Sequence, residues 1–136
     1  MDLVEEFLKL VGSAPWYRLI GMKVRREENE IFVEIEVEEK HIQALGMVRG
    51  GVIASMLDSA IGLSINKELV GKGKLAITSQ LNVHYLKPVS GGKIIAKARP
   101  LFIGSKVAVG YGELEDEKGE TVAVATSTFH VTTRRE

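Results

Sequence analysis

Apolar residues recur at helical spacing near the start of the chain, at Leu3, Val4, Phe7, Leu8 and Val11. Asp2 stands where it can cap that helix, Gly12 can end it, and Pro15 lies beyond. Residues 12–16 read as a connector, with Trp16 and Tyr17 packing against the body of the protein. The period then changes. Ile31, Val33, Ile35 and Val37 alternate with Phe32, Glu34, Glu36 and Glu38, which predicts a strand with one buried face and one acidic face. Residues 22–26 supply a hairpin partner, turning through 27–30. From residue 50 to about residue 69 neither pattern dominates. Val, Ile, Leu, Met and Ala fill the stretch without a proline, predicting a helix buried nearly all round and ended by Gly71 and Gly73. Four strand-like runs follow, at 76–86, 93–103, 106–115 and 121–132. Pro88 with Gly91 and Gly92, then Gly104 with Ser105, then residues 116–119 supply turns between them. Short turns predict that these runs are antiparallel neighbours.

The fold class is therefore α+β: one curved antiparallel sheet with a single long helix packed into it. The 136 residues suit one domain, with residues 1–15 as an N-terminal helix and connector. One helix cannot cover both sides of such a sheet, so dimerisation is expected. The 18 basic and 18 acidic residues cancel, and with no basic cluster there is no electrostatic footprint for nucleic acid. No apolar run is long enough to span a bilayer, and the acidic start does not read as a signal peptide. A cytoplasmic protein is expected. The absence of cysteine excludes disulfides and thiolate chemistry. His84 and His130 fall on strands without ligand spacing, so no metal site is expected.

Within the long apolar helix one formal charge stands alone up to Asn66, that of Asp58. Burying an ionised carboxylate costs several kcal/mol unless it is paired or hydrogen-bonded, and no Lys or Arg lies one turn away. Ser55, Asp58, Ser59 and Gly62 form a small, partly polar stripe. Asp58 is either a general base or nucleophile, or a structural acid bonded to a backbone amide or a partner chain. Gly50 and Gly51 begin the helix, where the first N–H groups lack partners and the dipole favours negative charge. They can polarise a carbonyl, or simply make a tight turn. Eight residues of helix put Gly50 and Asp58 roughly 12 Å apart. They can serve one carbonyl only if each comes from a different subunit.

The run from Gln43 through Gly46, Arg49, Gly50 and Gly51 to Asp58 resembles the signature of hotdog-fold acyl-CoA thioesterases of the phenylacetate-degradation (PaaI-like) family. There an Asn, a Gly, a His-Gly-Gly and a later Asp share this spacing. The run from Thr78 to Pro88 resembles the family's following strand. The likeness covers about residues 15–132. It implies a hotdog fold and hydrolysis of acyl-CoA, needing no cofactor beyond the CoA of the substrate. Asp58 would activate water or attack directly, Gly50 N–H of the opposite subunit would polarise the carbonyl, and Thr78 would help hold the water. Gln43 takes the Asn position and Arg49 the His position. Arg49 cannot act as a base but can donate to the carbonyl or pair with a phosphate. Gly51, Ser105, Lys106 and Arg134 are candidates for holding the CoA arm. The resemblance further implies a homodimer with shared sites, paired into a tetramer. Acyl-CoA binding without turnover is the alternative, because Arg49 replaces the His. A dehydratase reading lacks the loop histidine it requires.

Overall fold

The computed structural model describes residues 2–133. Its elements are α1 (Leu3–Gly12), α2 (Pro15–Ile20), β1 (Lys23–Glu27), β2 (Glu30–Glu36), α3 (Gly50–Leu69), β3 (Lys74–Tyr85), β4 (Lys93–Ile103), β5 (Val107–Glu115) and β6 (Thr121–Thr133). Asp2 caps α1 by accepting from Glu5 N–H. The expected connector is shorter than residues 12–16: Ser13 and Ala14 join α1 to a further helix, α2, which Pro15 opens and left-handed Gly21 closes. Six residues are too few to show a helical period. Tyr17 is buried as expected, whereas Trp16 is exposed.

The strands make one antiparallel sheet in the order β1-β2-β4-β5-β6-β3. The expected succession of neighbours breaks at one place. β3 pairs with β6 rather than with β4, and β4 lies beside β2. The segment between β3 and β4 explains this. Leu86 and Lys87 N–H still donate to Val122 O, but Val89 O then accepts from Val48 and Gly92 O accepts from Val37. The chain thus leaves one edge of the sheet, crosses in front of the start of α3 and re-enters beside β2. Pro88, with no N–H to give, marks the departure.

The sheet's inner face, carrying Val33, Ile35, Ile94, Ala96, Leu114 and Phe129, is buried against α3. β5 approaches the helix so closely that a Cβ at Gly110 would collide with Ile61. The helix itself is not buried all round. Ala54, Ser55, Asp58, Ser59 and Gly62 are only half-buried, along one continuous stripe. Their spacing puts them on one helix face, which lies along the β3 edge of the sheet, where Asp58 meets Thr78 and Gly62 lies against the Phe129 ring. Among the described residues, no helix is long and apolar enough to cross a membrane.

β3 is an edge strand, and side chains of and around α3 fix its position. Buried Asn66 Nδ2 donates to Ala76 O at 3.0 Å and to Gly62 O at 3.0 Å, while its Oδ1 accepts from Ala76 N–H at 2.7 Å. The amide thus pairs with Ala76 as a neighbouring strand would. Asn66→Ala would leave both backbone groups of Ala76 without this partner. The expected cost is about 2–4 kcal/mol, read as a lower urea midpoint with an unchanged m-value.

Candidate active site

The loop before α3 is a small closed structure. Ile42 bridges Val48, Gln43 N–H donates to Met47 O at 2.8 Å, and Gly46 N–H returns to Gln43 O at 3.0 Å. Gly46 has φ +89°, in the left-handed region that suits glycine. Arg49 N–H donates to His41 O at 2.8 Å. His41 is buried and uses both ring nitrogens: Nδ1 accepts from Glu38 N–H at 2.8 Å, and Nε2 lies 2.6 Å from Ile20 O. It braces the loop against α2, and its ring is not free for chemistry.

At the start of α3, Val52 and Ile53 N–H both turn back to Arg49 O, at 3.0 and 3.3 Å. Gly50 and Gly51 N–H have no acceptor among the described residues. They are open donors at the positive end of a long helix. Two grooves meet there. One, of about 530 Å³, runs past Trp16, Ile20, Gln43, Arg49, Gly50, Gly51 and Val52. The other, of about 390 Å³, runs past Gln43, Val48, Gly50, Ile53, Tyr85, Pro88 and Val89. Gln43 and Gly50 belong to both. Gln43 Oε1 accepts from Leu45 N–H, which leaves the amide Nε2 as its remaining hydrogen-bonding group. Arg49 is exposed and forms no ion pair among the described residues.

Asp58 lies two turns further along α3. It is half-buried in this chain, not enclosed as its apolar sequence surroundings suggest, because the stripe that carries it runs along the edge strand β3, which leaves it partly open. Thr78 Oγ1 on β3 donates to Asp58 Oδ1 at 2.7 Å. Tyr17 packs nearby. Burial pushes its phenol above the ordinary value; a hydrogen bond from Ser59 opposes that shift and the charge of Asp58 adds to it. Asp58 and Thr78 thus form one half-site, and Gln43, Arg49, Gly50 and Gly51 another.

Ser105 and Lys106 are exposed in the turn between β4 and β5. The register places Val107 opposite His130 and His130 opposite Ile77, close to the Ala76 anchor at the far end of α3. They therefore lie away from Gly50 of the same chain. Arg134 lies outside the described residues. Trp16 and Tyr85 line the grooves, and neither was a sequence candidate for the site. Tyr85 Oη donates to Gly50 O at 2.7 Å. An aromatic residue at the end of a strand carries no local signal of such a contact.

Residues 45–123 match the model of the thioesterase superfamily. The chain is 34% identical to the medium/long-chain acyl-CoA thioesterase YigI of Escherichia coli, covering 93% of this chain and 95% of that protein. Among solved structures, it is similar to the Bacillus halodurans protein BH2602, determined with CoA, at 31% identity and a TM-score of 0.81, covering 97% of this chain and 90% of that one. The fold also matches the PaaI protein of Escherichia coli at a TM-score of 0.83 and 19% identity, over 96% of this chain and 95% of that one.

Proposed function

The chain belongs to the thioesterase superfamily, and we propose that it hydrolyses acyl-CoA through a site made jointly by two protomers. The observation that carries the proposal is the pair of unpartnered N–H groups at Gly50 and Gly51 where two grooves converge. A thioester carbon is trigonal, so its acyl and sulfur arms diverge from the carbonyl. Two grooves leaving one donor site suit that shape. The relative YigI, by its name, acts on medium- and long-chain acyl-CoA, and BH2602 holds CoA, which supports this substrate class.

In the proposed reaction the carbonyl oxygen accepts from Gly50 N–H and Gly51 N–H, with Gln43 Nε2 beside it. These donors meet the negative charge as it develops on the oxygen. Asp58 of the second protomer takes a proton from water, whose oxygen attacks the carbonyl carbon; Thr78 steadies the carboxylate. The tetrahedral oxyanion collapses, the C–S bond breaks, and the CoA sulfur leaves and takes up a proton. Direct attack by Asp58 is the variant of this step, passing through an anhydride that water then cleaves. Arg49, unpaired at the groove, supplies a further donor to the carbonyl or to an anionic part of CoA.

The half-polar stripe of α3 is the proposed contact between the two helices of a dimer. Running antiparallel, each helix would bring its Asp58 to the other's Gly50. The same arrangement would turn Ser105 and Lys106 of one protomer toward the partner's half-site, where they could hold the CoA arm. Pairing of such dimers into a tetramer is part of the proposal.

The test is release of free thiol from a panel of aliphatic and aromatic acyl-CoAs. Turnover of at least one class is expected. Measurable CoA binding with no turnover of any would instead make the protein an acyl-CoA binder.

A further inference from the structure

We propose that Tyr85 is a positioning residue for the carbonyl-binding donors, holding the Gly50–Gly51 peptide in the orientation the reaction needs. The proposal rests on the thioesterase reading above. Its observations are independent of Asp58. Tyr85 Oη donates to Gly50 O at 2.7 Å. Its ring lies against the same residue: a Cβ at Gly50 would stand 3.3 Å from both Cζ and Oη.

The carbonyl of Gly50 and the N–H of Gly51 belong to one planar peptide. Fixing the oxygen therefore fixes the direction of the hydrogen. A peptide between two glycines resists rotation least, because neither residue has a Cβ to narrow its backbone choices. It also lies in the first turn of the helix, where N–H groups are not held by intrahelical bonds. A hydrogen bond to the carbonyl also polarises the amide and strengthens its N–H as a donor. The phenol suits the task, since partial burial pushes it above its ordinary value and so keeps its proton in place.

The ring walls the second groove as well, so the test must separate holding the peptide from holding the substrate. Tyr85→Phe keeps the ring and removes only the hydroxyl. The loss of one hydrogen bond acting through the donor peptide is expected to lower kcat about three- to tenfold, with KM unchanged. The amide nitrogen resonance of Gly51 should move upfield in the free protein, because the hydrogen bond to its peptide carbonyl is gone. A change in KM alone would make Tyr85 a substrate contact and overturn the proposal. So would an unchanged kcat in an active enzyme. If the wild-type protein hydrolyses no acyl-CoA, the thioesterase reading falls by itself. The Gly51 resonance then decides the remainder: an unmoved signal means that Tyr85 does not hold this peptide.

Discussion

Asp58→Asn is expected to leave a folded protein whose kcat on acyl-CoA falls roughly a thousandfold, within the range that proton transfer by a positioned side chain contributes. Asparagine has nearly the shape of aspartate, and its Oδ1 can still accept from Thr78 Oγ1, the partner that Asp58 has now. What it loses is the ability to take a proton or to attack carbon. Binding of CoA should change little, because the donors at Gly50 and Gly51 lie about 12 Å away along the helix. Steady-state kinetics with a thiol-reactive dye, alongside calorimetric titration of CoA, reads both quantities. Residual turnover above a tenth of wild type would make Asp58 a structural partner of Thr78 rather than the base.

The second large effect concerns the other half-site. Gly50→Pro deletes the N–H donor while respecting the local backbone. Proline is favoured at the first position of a helix, and the preceding residue must be extended. Arg49 already is, at φ −59° and ψ 138°. The nearest obstacle is the ring of Tyr85, a side chain that can shift. Removal of one oxyanion donor is expected to cost about a hundred- to a thousandfold in kcat. The informative experiment mixes this variant with Asp58→Asn. In a mixed dimer with shared sites, one site carries both lesions and the other carries neither. Statistical mixing of equal amounts would thus restore about a quarter of wild-type activity, as half the dimers are mixed and each has one of two sites intact. If heterodimers form and nothing is restored, the two residues do not cooperate across the interface.

Much of this site is visible in the sequence because its chemistry is contiguous. The glycine pair, the helix behind it and the isolated acid occupy one stretch of chain, and the helix rise alone separates them into two half-sites. The strands are equally plain, since burial on one face writes a period of two into Ile31, Val33 and Ile35. What stays hidden is set by contacts between distant segments. The pairing of β3 with β6 depends on how residues 86–92 cross the end of α3, and a short stretch with Pro88 looks the same whether it turns back or crosses over. The half-exposed state of Asp58 depends on which helix face the sheet covers, and apolar residues on both sides of the acid conceal it. The helix α2 is too short to display a period, and Tyr85 meets Gly50 from 35 positions away.

The irregularity in β3 has a further consequence. Thr78 pairs with Phe129 and Gln80 with Thr128, so Ser79 is the odd residue between them, with its Oγ donating to Thr128 O at 3.1 Å. Side chains on a strand alternate between faces. Counting in twos from Thr78, which faces Asp58, would reach Gln80, Asn82 and His84 and would leave Tyr85 pointing to solvent. The odd residue shifts the count, so that Leu81, Val83 and Tyr85 face the helix instead. One strand can therefore serve the acid at one level and the glycines at another only because it changes parity on the way. Exchanging Ser79 for another residue would keep that count. A chain one residue shorter there would lose the bulge and return to plain alternation, with Leu81, Val83 and Tyr85 still on the helix side; it is a strand of this length forced into regular pairing from Thr78 onward that would turn Tyr85 away from Gly50.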